Sequence, residues 1–140
     1  MKNSVLQFAN PTLTELKYKV NKNFNSEGPI KLKIRLETRV NKCNENNSAI
    51  VEVRLKVFSK KEFEEAPFYI HVSMQGEFRW ENDIDNKVLE KLLKSNAPSI
   101  ILSYLRPYVS TLTTGSGFDP LILPLLDLTE NEVIYDESLK

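Results

Sequence analysis

The chain has 140 residues, enough for one domain with a modest core and too few for two. Its 19 lysines and arginines balance 19 aspartates and glutamates, so no net field would draw in a nucleic acid or an anionic membrane. A single cysteine excludes an internal disulfide framework, and the sequence shows neither a membrane-spanning apolar run nor the apolar core of a secretion signal. We therefore expect one domain over residues 1–140 of a cytoplasmic protein, with no metal or other cofactor.

Four stretches in the first part of the chain alternate apolar and polar residues. Residues 12–20 do so weakly, whereas residues 30–40, 49–59 and 67–80 alternate almost without error. Period two over such lengths is typical of half-buried antiparallel strands. The pattern predicts a four-stranded antiparallel meander sheet with one apolar face and one wet face.

Individual residues refine this prediction. In the third stretch Val51, Val53, Leu55 and Val57 face inward, and Phe58 falls on the outward parity. A short apolar stretch at residues 3–10 precedes the first strand and is expected to stop at Asn10-Pro11, because proline donates no hydrogen bond to a sheet.

The period then changes to that of helices. Asp83 or Asp85 can cap a first helix, and residues 95–97 are expected to break it. Pro98 suits the first turn of a second helix, which ends at the glycines of residues 115–117. The predicted class is α+β, with this long helix of the C-terminal half packed on one face of the sheet.

The second helix is apolar on more than one stripe. A helix of that kind in so small a protein needs two partners, and we expect its own sheet and another subunit. The segment after it, residues 118–128, is too apolar to lie free in water. Together with aromatic residues at strand ends and loops, it predicts an apolar groove that binds by non-directional burial.

Signatures of an enzyme are missing. His71 is the only histidine and lies on the polar parity of its strand, so we interpret it as a surface residue. Cys43 lies in an asparagine-rich loop with no helix N-terminus or second histidine to activate it, so we interpret it as a solvated thiol. The glycines at 115–117 follow a helix instead of preceding one, which excludes a phosphate-binding loop. No catalytic residue is predicted, and the hypothesis of an enzyme that acts on a small molecule is weaker than the two binding functions considered below.

At this point the chain resembles SecB, the bacterial protein-export chaperone family. Pro98 opens the long helix, Tyr104 and Arg106 match the family's Tyr-x-Arg, and residues 118–123 (Phe-Asp-Pro-Leu-x-Leu) are similar to its helix-exit segment. The meander followed by the helix extends a weaker similarity over nearly the whole chain.

The resemblance implies grooves that hold unfolded polypeptide without ATP, and a dimer of dimers, that is a homotetramer, with the long helices packed between dimers. The residues expected to bind polypeptide are Phe68, Phe78, Trp80, Phe118, Leu121, Leu123 and Leu126. The residues expected at the oligomer interface are Ile101, Tyr104, Leu105 and Tyr108.

The sequence also departs from the family. SecB proteins present acidic residues of the sheet to the export motor SecA; this chain matches with Glu15 but has Lys19 and His71 where carboxylates are expected. The region after Leu128 is short for a last helix plus the family's zinc-associated tail. Two hypotheses therefore stay open: an ATP-independent holdase, with or without a role in export through SecA, and a dedicated chaperone of one partner, such as an antitoxin of a toxin–antitoxin pair.

Overall fold

The computed structural model describes residues 5–25 and 28–140, which form a five-stranded sheet with a helical layer on one face. The strands are β1 (Gln7–Val20), β2 (Ile34–Cys43), β3 (Ser48–Val57), β4 (Phe68–Arg79) and β5 (Val133–Tyr135), and the α-helices are α1 (Asn86–Lys91) and α2 (Ala97–Thr114). Short 3-10 turns at Asn44–Asn46 and Lys60–Glu65 join β2 to β3 and β3 to β4. The predicted α+β class is confirmed.

The strand order across the sheet is β1-β4-β3-β2-β5. Strands β2, β3 and β4 form an antiparallel meander, as predicted. The meander does not include β1, which pairs antiparallel with β4 and not with β2, so the prediction of a meander through all four strands is wrong. The predicted count of four strands is wrong, because β5 adds to the outer side of β2 in parallel, from Thr38 opposite Val133 to Val40 opposite Tyr135. A strand of three residues is too short to show a period of two, so the sequence pattern could not reveal it.

The first strand is longer than predicted. It starts at Gln7 and continues through Pro11, with irregularities in its pairing to β4 between Ala9 and Thr12 and between Leu13 and Glu15. Asn10 lies within the first irregularity and has a φ of 56°, a backbone conformation that bulges commonly use. The predicted stop at Asn10-Pro11 is therefore wrong, because a proline is tolerated at a bulge of an edge strand. Residues 3 and 4 of the predicted apolar stretch lie outside the described residues.

The inner face of the sheet carries the predicted parity. Val51, Val53, Leu55 and Val57 are fully buried. Phe58 contradicts its predicted outward position: its φ of 54° turns the ring inward, and the residue is buried against Phe68 with 5.8 Å between ring centroids. A positive φ breaks the alternation of a strand, and no feature of the sequence announces it here.

The two helices form one continuous rod. The predicted break at residues 95–97 is wrong, because a π-helical turn (Leu92–Asn96) carries α1 directly into α2. One row of buried residues in the rod recurs at every fourth position, from Leu89 to Thr113, and α2 packs on β3 and β4. In a regular α-helix, residues four positions apart differ by about 40° around the helix axis, so a row with this spacing gradually turns away from the sheet. The wider π turn rotates the chain less per residue and so offsets part of this rotation. Within the described ranges no helix is long and apolar enough to cross a membrane.

The sheet and the helix meet at a close contact around Gly76. A Cβ atom placed on Gly76 would lie 2.0 Å from Cε2 of Phe8, so only glycine leaves room for that ring. The Phe8 ring stacks on Phe78 at 4.8 Å between centroids and also contacts Tyr104 of α2 at 5.4 Å. Gly76 therefore allows β1 to reach the helix across β4.

Candidate polypeptide-binding site

The segment that follows α2, residues 118–128, is held along the helix by two side chains of α2. We call it the return segment. The Thr113 hydroxyl accepts the N–H of Leu121 at 2.7 Å and donates to the carbonyl of Val109 at 2.9 Å. The Arg106 guanidinium donates to the carbonyl of Leu123 at 2.7 Å. These bonds satisfy backbone groups that the strand-less segment cannot pair by itself.

The return segment buries some of its apolar side chains and exposes others. Leu123 is fully buried in the core. Ile122 and Leu125, in contrast, are 75% and 86% exposed. An isolated exposed leucine is ordinary, but two large aliphatic residues on one short segment form an apolar surface patch.

A second apolar feature lies at the connector between β1 and β2, of which residues 21–25 and 28–33 are described. A cleft of about 290 Å³ opens between this connector and the turn after β3. Its apolar lining is contributed by Phe24, Pro29, Ile30, Phe58 and Ala66. The Asn21 amide anchors the connector by donating to the carbonyls of Phe63 at 2.9 Å and Ala66 at 3.0 Å. We call this feature the connector cleft.

The charged rim of the connector cleft is fixed by one carboxylate. Glu62 lies 2.7 Å from the Arg35 guanidinium and 3.0 Å from the Lys33 ammonium, and it accepts the N–H of Ser59 at 2.9 Å. The bond from Arg35, more than any other contact, holds the pKa of Glu62 well below its usual range. Because Glu62 stays ionised, it offsets one of the two cations beside it. Lys31 and Glu65 supply the other charges of a lining that is part polar and part apolar.

One aromatic contact joins the two features. The rings of Phe24 in the connector and Phe118 at the start of the return segment meet edge-on, with 5.9 Å between centroids. Phe68, Phe58 and Tyr18 form a neighbouring aromatic cluster beneath. The connector cleft, Phe118 and the exposed side chains of the return segment are thus linked along the chain and in space.

The predicted polypeptide-binding residues divide into two groups. Phe68, Phe78, Trp80 and Leu123 are buried in the core, so in this conformation they support the site from below and are not open to a ligand. Half-buried positions are occupied by Phe118, Leu121 and Leu126. For the second group polypeptide binding stays a prediction.

Sequence reasoning did not assign several residues that the structure brings to this surface. The alternating pattern predicts a strand that includes Ile30 and Leu32, but β2 begins only at Ile34, and both residues are 37% exposed. Ile122 and Leu125 belong to the predicted apolar segment but are not among the predicted binding residues. Their signal is the pair of flanking prolines, Pro120 and Pro124, which prevents the segment from forming a helix that would bury them.

The predicted interface residues also divide. Ile101 and Leu105 are fully buried against the chain's own sheet and are not open to another subunit, which corrects their assignment. Tyr104 and Tyr108 are 46% and 41% exposed at the border of the buried face of α2, where Tyr104 also contacts Phe8. Four-residue spacing places these two rings one turn apart on one face of the helix.

The polar candidates do not form a chemical site. Cys43 is exposed, and no group of three or more His, Cys, Asp or Glu residues in the described part of the chain could hold a metal ion. His71 is half-buried on the outer face of the sheet, and burial lowers the pKa of its imidazole, with Lys56 and Lys17 adding to the effect.

Known proteins resemble this chain in sequence. The family model described as preprotein translocase subunit SecB matches residues 16–139. The protein-export protein SecB of Neisseria meningitidis is 31% identical over 115 residues, covering 82% of this chain and 75% of the relative. The SecB of Anaplasma phagocytophilum is 29% identical over 94 residues, which is 65% of this chain and 58% of that protein. An uncharacterised protein of Methanocaldococcus jannaschii is 28% identical over 125 residues, or 88% and 79% of the two chains.

A solved structure shares the fold. The SecB-like chaperone of Mycobacterium tuberculosis, determined in complex with a ChAD peptide from the HigA1 antitoxin, superposes with a TM-score of 0.70 over 86% of this chain and 90% of that chain, at 15% sequence identity. The sequence match extends from within β1 to the penultimate residue, and the fold agrees with it. The chain is therefore a member of the SecB family.

Proposed function

We propose that the protein is an ATP-independent holdase that binds non-native polypeptide in the connector cleft and along the return segment. Three observations carry this proposal: the apolar residues of the connector cleft, the Phe24–Phe118 contact that joins the connector to the return segment, and the exposure of Ile122 and Leu125 on that segment. Membership of a chaperone family supports it. Its members are not enzymes, and no residue is assigned a catalytic role.

The chemistry of the surface favours broad binding. Burial of apolar side chains depends on area and not on direction, so it selects aromatic and aliphatic segments over any one sequence. Each contact is weak, and several sites on one oligomer would raise the overall affinity through effective concentration. The exposed face of Tyr104 and Tyr108 supports an assembly in which α2 packs between dimers, and we propose a homotetramer in the cytoplasm.

A dedicated partner is the second candidate. The Mycobacterium tuberculosis chaperone that shares this fold was solved with an antitoxin peptide, which favours a similar role here. The outer face of the sheet, where Glu15 and Lys17 lie beside Lys56 and His71, is mixed in charge, and this weighs against an acidic docking surface for SecA. Recovery of a single stoichiometric partner by pull-down would favour the dedicated role, and recovery of many unfolded clients would favour the general one.

The general holdase is tested by light scattering of a denatured client that is diluted into the protein without nucleotide. Full burial of a leucine or isoleucine contributes about 1.5–3 kcal/mol, and we assign about 1 kcal/mol to each of Ile122 and Leu125 after ordering costs. The double variant Ile122→Ser/Leu125→Ser should then bind the client about 30-fold more weakly.

The control is Val88→Ser, which removes an aliphatic residue that is 48% exposed on α1, away from the proposed surface. It should suppress aggregation as the wild type does. Unchanged suppression by the folded double variant would show that the return segment does not hold clients.

A further inference from the structure

The strand β5 leaves one edge of the sheet open. It is the last strand in the order, and no described residue pairs with its outer side. Ile134 and Tyr135 are 44% and 61% exposed. Open edges with exposed apolar residues are uncommon, because they offer a template for another strand.

The backbone of β5 shows which groups face outward. The N–H of Asp136 donates to the carbonyl of Val40 at 2.9 Å, so Asp136 faces β2. Alternate residues of a strand direct their backbone groups to the same side, so Ile134 also faces β2. The N–H and C=O groups of Val133 and Tyr135 therefore point away from the sheet.

A cleft of about 390 Å³ runs beside this edge, between β5 and the helical rod. It is lined by Val133, Tyr135, Asn131, Glu132, Glu90 and Lys94. Val133 and Tyr135 direct their side chains to this cleft, because successive side chains of a strand alternate between faces. A strand added to β5 would place every second side chain in or over the cleft.

The charge around the edge specifies the occupant. Residues 127–137 contain five acidic residues and no lysine or arginine, and Glu130, Glu132 and Glu137 are exposed. Asp136 is already paired with Arg39 at 2.8 Å, and of the cleft's charged residues Lys94 is the one cation beside Glu90 and Glu132. The free charge at the edge is therefore negative.

We propose that the β5 edge docks an extended basic segment of a partner protein by strand addition, with a lysine or arginine of that segment over Glu132 and Glu90. Backbone hydrogen bonds to Val133 and Tyr135 supply the docking geometry, and the acidic border selects the charge. This surface is separate from the connector cleft and the return segment. It does not depend on the holdase proposal.

The test uses a fluorescein-labelled ten-residue peptide in which lysine alternates with valine and threonine, and a matched peptide with glutamate in place of lysine. Fluorescence anisotropy with the full chain should show binding of the lysine peptide and at least tenfold weaker binding of the glutamate peptide. Raised salt should weaken the first interaction. Glu130→Gln/Glu132→Gln should weaken it about fivefold, whereas Glu45→Gln, an exposed carboxylate on the far turn, should not.

A second pair of variants tests the backbone. Tyr135→Ala keeps the outward N–H, and Tyr135→Pro removes it, so the proline variant should bind at least fivefold more weakly than the alanine variant. In the wild-type protein, hydrogen exchange at the Tyr135 amide should slow when the lysine peptide is present. Equal binding by the two variants, with no change in that exchange, would overturn the proposal.

Three other outcomes would also overturn it. Equal binding of the two peptides would mean that charge does not select the occupant. Loss of lysine-peptide binding in Ile122→Ser/Leu125→Ser would assign the peptide to the return segment. A self-association that Glu130→Gln/Glu132→Gln abolishes would identify a second copy of this chain as the occupant. None of these results bears on the aggregation assay of the wild-type protein.

Discussion

Replacement of Gly76 by alanine tests how β1 is held against the helix. The new Cβ would lie 2.0 Å from the Phe8 ring, so the ring has to leave its stack on Phe78 and its contact with Tyr104. Overpacking of this kind costs about 1–3 kcal/mol, and alanine regains about 0.5–1 kcal/mol because glycine is unfavourable within a strand. We expect a net loss of about 1–2 kcal/mol, which lowers the melting temperature by roughly 3–6 °C in a domain of this size.

A double-mutant cycle isolates the cause. In a Phe8→Ala background the clash is absent, so Gly76→Ala should raise stability by about 0.5 kcal/mol instead of lowering it. Urea unfolding of the four proteins, followed by circular dichroism, gives the coupling between the two positions. Equal destabilisation by Gly76→Ala in both backgrounds would refute the argument, because it would assign the cost to the backbone at Gly76 and not to the Phe8 ring.

Two further substitutions test local features. Thr113→Val keeps the shape of the side chain but removes the acceptor of the Leu121 N–H, so it should lower the free energy of unfolding by about 1–3 kcal/mol and speed hydrogen exchange at Leu121. Thr114 is exposed and its hydroxyl bonds only within its own helix, so Thr114→Val should have neither effect. Unchanged exchange at Leu121 in Thr113→Val would contradict the anchoring role. Phe58→Gly should be more stable than Phe58→Ala by about 1 kcal/mol, the reverse of the usual order in strands, because alanine is strained at a φ of 54°. Urea unfolding of the two variants measures this difference. A more stable alanine variant would show that the positive φ does not destabilise it.

The period of the sequence was sufficient to predict the central strands β2, β3 and β4 and their inner face, because burial against a single helix imposes alternation on these strands. It failed where a single backbone angle or a single extra residue decides the outcome. Phe58 turned inward through its positive φ, and the π turn at Leu92–Asn96 joined two helices that the polar residues 95–97 were expected to separate. The amino-acid sequence around these residues indicates neither the positive φ nor the π turn.

The candidate site was predicted less well for a physical reason. Aromatic residues mark apolar surface, but whether that surface is open depends on what lies over it. Phe78 and Trp80 share the parity of the core and are covered, whereas Ile122 and Leu125 are open because the prolines keep their segment extended. The structure explains the arginine of the Tyr-x-Arg match, because Arg106 donates a hydrogen bond to the carbonyl of Leu123 and so anchors the return segment.

The ring pair of Phe24 and Phe118 links two loops that are 94 positions apart in the chain. An aromatic pair of this kind contributes about 0.5–1.5 kcal/mol beyond its buried area, which is one to three times the thermal energy. Because this term is so small, a modest change in either loop is enough to separate the two rings. If clients bind here as proposed, they can move the connector and the return segment past each other without breaking a strong contact between the two rings.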